Sequence, residues 1–214
     1  MTCKYDNEKN TFDSIYPELF PVDFKPYNLS YGVWTAKWWQ WAVSIPISNN
    51  PLLDNTGKHC MEGQEGPVWF LAGTAGKTYS SKRTCTIPSG KCILFPIIAS
   101  EFSFAEYPSL KNEEELISSV AVDIDRWSLL EATVDGVQLQ NLDKYRVKYG
   151  PFELILPTNN IWNVMPCSTK AVSDGFWVFL KPLKDGNHNI TFSGIEPNFR
   201  TKVTYQIVVD TQKS

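Results

Sequence analysis

A mainly β fold is predicted: a β-sandwich or jelly roll of seven or more short strands, with two helices packed on it. Three observations carry the expectation. Runs rich in β-branched and aromatic residues fill the second half of the chain. Turn dipeptides, Asp135-Gly136 and Asp185-Gly186, separate several of them. Helical spacing of apolar residues is confined to two stretches, about 31–45 and 113–128.

Residues 1–29 carry Pro17, Pro21 and Pro26 without a helical or strand period, and read as an extended N-terminal arm laid over the body. Residues 30–214 form a single β-sandwich domain with helical additions. Ser30 caps the first helix, and Pro46, Asn49, Asn50 and Pro51 end it. The runs "GPVWFLAG" and "KCILFPIIASEFSFAE" look like two central strands. Asn112 with Glu115 caps the second helix, in which Leu116, Val120, Ile124 and Trp127 share a face. Strands follow in "LEATV", "VQLQNL", "YRVKY", "FELILP", "GFWVFLKPL", "HNITFSGI" and "KVTYQIVVD".

With 214 residues and 43% hydrophobic side chains, the chain has material for one substantial core. Its 20 basic and 23 acidic residues are well mixed, so no basic stripe exists for phosphates, and nucleic acid is not an expected partner. No window of 18 apolar residues occurs and the first ten residues are polar, so neither membrane insertion nor a signal peptide is read from this chain.

Five cysteines without a CxxC pair, and two histidines to assist them, argue against structural zinc. Cys60 and Cys85 lie in turn-rich surroundings, where a bridge closes a loop of about 25 residues, worth about 3–4 kcal/mol. Cys92 and Cys167 form a second bridge, or Cys92 is a small buried side chain.

Several motifs fail on inspection. "GTAGKT" (Gly73–Thr78) resembles part of a phosphate-binding loop but has two residues between its glycines, where the loop needs four, and reads as a hairpin loop. His188 follows a turn, His59 adjoins Cys60, and no G-x-S-x-G elbow occurs. Asn28-Leu29-Ser30 and Asn189-Ile190-Thr191 match the glycosylation pattern, which arises often by chance.

Carboxylates are the better candidates. Glu101 follows the apolar run "LFPIIAS", where a carboxylate must find a donor or shift its pKa. Glu106 is the other half of a candidate catalytic pair, although strict strand alternation puts the two on opposite faces unless the chain bends. Asp54 joins Glu101 as the candidate pair of hard ligands for Ca²⁺.

Four tryptophans crowd "WTAKWWQW". On a helical wheel Trp34, Trp38, Trp41 and Ile45 share one stripe, and Trp39 lies off it. Trp39 is thereby either packed on a second flank or open to a ligand, with packing favoured by Ala36, Ala42 and Val43.

The signposts "WWQW" (Trp38–Trp41), "NPLLD" (Asn50–Asp54), "GPVWFLAG" (Gly66–Gly73), "CTIPSGKCILFPI" (Cys85–Ile97), "ATVDG" (Ala132–Gly136), "YRV" (Tyr145–Val147) and "SDGFWVFLKPL" (Ser173–Leu183) give the chain a resemblance. It resembles a family of prokaryotic proteins, many exported, to which no activity is attached. The resemblance implies an extracytoplasmic or secreted setting, in which disulfides persist.

The leading functional expectation is a non-enzymatic β-sandwich binding a small molecule, glycan or cell-surface polymer. Its contacts are Trp39, Trp162, Trp177, Asn159, Asn160 and Asp174. The alternatives are a hydrolase, of glycosides for example, using Glu101 and Glu106, and a structural or assembly module.

Overall fold

The computed structural model describes residues 17–75 and 79–210. Among them are nine strands in two mixed sheets and two α-helices, a β-sandwich with helical additions. In chain order these are α1 (Tyr31–Ser44), β1 (Val68–Phe70), β2 (Ser80–Pro88), β3 (Cys92–Ser103), α2 (Glu113–Ile124), β4 (Leu129–Val134), β5 (Val137–Gln138), β6 (Arg146–Leu156), β7 (Cys167–Leu180), β8 (Gly186–Glu196) and β9 (Phe199–Asp210). Sheet A has the order β1-β3-β7-β6, and sheet B the order β2-β9-β8-β4-β5. The pairs β1/β3 and β2/β9 are parallel and the remaining pairs antiparallel.

Between the sheets, Ile93, Phe95, Phe176 and Val178 of sheet A meet Phe192, Val203, Tyr205 and Ile207 of sheet B. The opposite face of sheet A carries Leu94, Trp177 and Phe179 into a second core under α1. Burial on both faces explains why β7 is continuously buried from Ala171 to Leu180, with no polar alternation in accessibility. Helix α2 closes one end of the sandwich through Leu116, Val120 and Ile124, packed on Val172 and the inter-sheet core.

Both helices are capped as expected, by Ser30 Oγ accepting from Val33 N–H and Asn112 Oδ1 accepting from Glu115 N–H. The second ends at Ile124, earlier than its apolar period suggested. Ser128 N–H already donates to Ile195 O at 2.8 Å, so the chain has turned to join β8.

All four tryptophans of α1 are buried, with Trp39 5% exposed. Three of their indole N–H groups donate to backbone carbonyls of other segments: Trp34 to Pro26, Trp38 to Leu71 and Trp41 to Glu62. Trp38 also stands edge-on to Trp177, ring centroids 5.3 Å apart. The described part of the N-terminal arm buries Phe20 in the same core, and its Phe20 N–H donates to Phe179 O. Residues 1–16, with Cys3, and Gly76–Thr78 of the "GTAGKT" segment lie outside the described residues.

Strand β2 is not among the strands expected from the sequence. Its inward positions are Ser81, Arg83, Cys85 and Ile87, two of them polar, which hides the apolar alternation. Arg83, 1% exposed, donates to Ala72 O, Gly73 O and the Tyr205 hydroxyl. "YRVKY" and "FELILP" are one strand, β6, with a register shift between Tyr149 and Phe152.

Cys60 and Cys85 form a disulfide, their Cα atoms 5.9 Å apart. Cys92 is buried with the Tyr27 hydroxyl 3.3 Å from its sulfur, and Cys167 is exposed at the start of β7, so no bridge joins that pair. Among the described residues no helix is long and apolar enough to cross a membrane.

Two outcomes follow for denaturant unfolding. Trp38→Ala costs about 3–5 kcal/mol, because a filled site between α1 and sheet A becomes a cavity. Replacing Cys60 and Cys85 together by Ser lowers stability by about 2–4 kcal/mol under non-reducing conditions and leaves it unchanged under reducing ones.

Candidate functional site

The outer face of sheet A is apolar under α1 and becomes polar towards one end. Cross-strand pairing sets Glu101 opposite Ser173, which in turn faces Tyr149; the next row is Ser103, Ala171 and Phe152. A register shift between Pro96 and Ile98 decides which residues point there. Ile97 and Ile98 both enter the inter-sheet core, and the residues after them, Ala99, Glu101 and Ser103, alternate onto the outer face. Tyr149 is seated by close approach of α1, since a β-carbon on Gly32 would lie 2.3 Å from its ring.

The chain does bend where the sequence left the question open. After Ser103 it makes a single turn, closed by Tyr107 N–H donating to Ser103 O at 2.9 Å, and Glu106 comes back beside Glu101. Ser103 Oγ donates to Glu106 Oε2 at 2.7 Å. Glu101 is 5% exposed, Ser103 fully buried and Glu106 half-buried, so the pair reaches solvent through Glu106.

Burial raises the Glu101 pKa well above the ordinary glutamate value, and the neighbouring Glu106 raises it further. Glu106 is also raised by burial, against opposing hydrogen bonds from Glu101 and Ser103. Neither Glu101 oxygen receives a well-aligned bond from a hydroxyl or N–H. Its contact with Glu106 is therefore a hydrogen bond only when one carboxyl holds a proton. The deeper member, Glu101, keeps that proton, and Glu106 accepts. Two more buried polar atoms lack partners, Ser173 Oγ opposite Glu101 and Trp162 Nε1, whose interaction with Glu101 favours the charged form. Tyr107, stacked on Phe102 with centroids 4.0 Å apart, has its pKa raised first by burial and then by Glu106.

The expected ligand contacts are scattered. Trp39 and Trp177 are buried, 5% and 0% exposed, and offer no stacking face. Asn160 is fully buried and ties its own loop, donating to Pro157 O and Val164 O and accepting from Val164 N–H. Asn159 is exposed, with a φ of 58°, and its carbonyl accepts from Ile47 N–H. Asp174, fully buried on the other face of β7, takes a two-pronged bond from Arg146 at 2.8 and 2.6 Å. Arg146 also bridges to Asp125 at the end of α2. Only Trp162 stands at the carboxyl pair, half-exposed on the loop that Asn160 organises.

Asp54 turns its carboxylate into its own loop, accepting from Thr56 N–H, Thr56 Oγ and His59 N–H, rather than pairing with Glu101. Among the described residues no three His, Cys, Asp or Glu side chains converge as a metal-binding group. Cys60 is spent in the disulfide, which removes a Cys-His pair with His59. His188 is held between Asp135 Oδ2 and Lys184 O, both at 2.7 Å, as a clamp on two turns.

Ser103 and Ser173 went unnoticed in the sequence. Ser103 was findable, two residues from Glu101 on the same strand face. Ser173 neighbours Asp174, but the strand period that sets it apart from Asp174 required knowing β7's faces.

The class defined by fold and site is a two-sheet β-sandwich with two neighbouring glutamates, one buried and one half-buried, at one end of a sheet face. Compared with known proteins, the chain matches no family model, no curated protein and no solved structure.

The pair makes stability pH-dependent. In the unfolded chain Glu101 loses its proton near 4.5, in the folded chain only at higher pH. Stability therefore falls as pH rises through the interval between and stays lower above it. Glu101→Gln, which cannot ionise, is expected to match the parent near pH 4. At pH 8 it exceeds the parent by about 1–3 kcal/mol in guanidinium unfolding. Arg146→Ala has the opposite effect, costing about 3 kcal/mol at neutral pH, because the buried Asp174 carboxylate then keeps only its longer 3.5 Å contact with Lys148.

Proposed function

We propose that this protein is an extracytoplasmic acid–base hydrolase centred on the Glu101–Glu106 pair. The observation that carries the reading is the meeting of two carboxyls at a nearly water-free position. A carboxyl kept neutral there at neutral pH is a proton donor, and a carboxylate held against it is a base. Glu106, ionised and nearer solvent, takes a proton from an attacking water. Glu101 delivers its proton to the substrate oxygen that gains charge, and Trp162 supplies an apolar wall beside them.

The two carboxyls are near enough for each to shift the other's pKa, whereas glycosidases set theirs about 5–10 Å apart to flank a glycosidic bond. A carbonyl substrate, ester or amide, suits a single shared proton better, because one oxygen receives it while water attacks the adjoining carbon. The disulfide and the resemblance to exported proteins support an oxidising setting outside the cytoplasm. A second reading, glycan binding, retains one support: a half-exposed indole next to carboxyls suits a sugar's flat face and hydroxyls.

The test is hydrolysis of p-nitrophenyl esters and of fluorogenic peptides between pH 3 and 8. The expected profile is bell-shaped, and Glu101→Gln and Glu106→Gln each lower kcat by about 10²–10⁴-fold. Absence of turnover throughout, or turnover unchanged in Glu101→Gln, overturns the hydrolase. Saturable quenching of tryptophan fluorescence by oligosaccharides, lost in Trp162→Ala, would then favour the glycan reading.

A further inference from the structure

A separate cleft of about 500 Å³ opens where the β8–β9 hairpin meets the end of α2. Ile195, Phe199 and the exposed Tyr79 give it an apolar wall, and Arg126 and Arg200 bring two guanidinium groups to it. Arg200 lies over the Tyr79 ring, 5.5 Å from its centroid, and among the described residues no carboxylate pairs with its guanidinium. Arg126 has only a long contact, 3.8 Å, to Asp123 one turn back on α2, and its Nε donates to Val122 O. Both stand ready for an oxyanion with two oxygens side by side, carboxylate or sulfonate, which a guanidinium grips with two parallel bonds.

Glu196, at the end of β8, lines the same cleft beside Arg126. One of its oxygens is buried without a partner. Burial, and after it the charge of Asp123, push its pKa up to about 7 against the opposing pull of Arg126. The charged groups acting on it are Asp123 of α2 and Arg126, two residues past that helix, and Arg200 of β9 lines the same cleft. Ser128, at the start of β4, and Tyr79, ahead of β2, complete the polar surroundings.

We propose that this cleft binds a small organic anion, its charged group held between Arg126 and Arg200 and its carbon skeleton lying on Tyr79, Ile195 and Phe199. Protonated Glu196 adds a third donor to the oxyanion; ionised Glu196 repels it. Affinity consequently falls as the medium passes from mildly acidic to mildly alkaline. The site uses none of the residues of the carboxyl pair, so it stands whether or not the protein hydrolyses anything.

Benzenesulfonate tests this cleanly, because its charge is constant between pH 6 and 8. Titration calorimetry on the whole chain is expected to show saturable binding that weakens up to about tenfold from pH 6 to pH 8. Arg126→Ala and Arg200→Ala each weaken it by at least about tenfold. Glu196→Gln retains binding and abolishes the pH dependence. Arg126 and Arg200 are exposed and Glu196 is half-buried, and circular dichroism checks that all three variants stay folded. No saturable binding at pH 6, binding indifferent to both arginine substitutions, or binding of benzylammonium in its place through Glu196 and Asp123 would each overturn the proposal.

Discussion

Burial of sheet A on both faces is the constraint on which everything else in this molecule depends. Its inner face packs on sheet B, and its outer face carries Leu94, Trp177 and Phe179, which need a cover of their own. Helix α1 supplies that cover, and it must reach several segments at once. Its tryptophans combine large apolar area with an N–H at the tip, so each ring fills space and grips a carbonyl elsewhere in the chain. At the polar end of the same sheet, burial raises the pKa of Glu101 and makes it a weaker acid than an ordinary glutamate.

Buried ionisable groups here are accommodated in three ways. Arg83 has its two terminal nitrogens taken up by carbonyl and hydroxyl oxygens without a counter-charge, while Nε is buried without a partner. Asp174 takes a counter-charge from Arg146, which also holds the end of α2 through Asp125. Glu101 has no counter-charge but a second carboxyl beside it, and its pKa is raised. The first two solutions fix backbone and helix in place. The third leaves a reactive proton where the surroundings gain nothing structural from it, and on that contrast its candidacy rests.

Patterns that depend on neighbours in sequence were legible. The caps at Ser30 and Asn112, the tryptophan stripe and the Asp135-Gly136 turn, with φ of 52° and 79°, all express local physics. The Cys60–Cys85 bridge was also readable, from turn-rich surroundings. What escaped depended on distant partners. Strand β2 carries Arg83 inward because Tyr205 and the carbonyls of residues 72 and 73 await it, and nothing near Arg83 in sequence announces them. Trp177 and Asp174 looked like surface contacts because their stretch is rich in turn residues, yet β7 runs through the middle of sheet A. Glu101 was suspicious from its apolar prelude, but its meeting with Glu106 came from a turn that alternation alone does not foresee.

The Cys60–Cys85 bridge ties the loop that receives Trp41 to strand β2 of sheet B, and between its ends the chain passes through β1 of sheet A. It thereby straps the helix layer, one sheet and the other around a common edge. A protease that cuts anywhere inside this strap severs the backbone without releasing a fragment. The nicked chain keeps its mass until a reductant arrives, so in an oxidising medium the protein can outlast an injury to its covalent continuity.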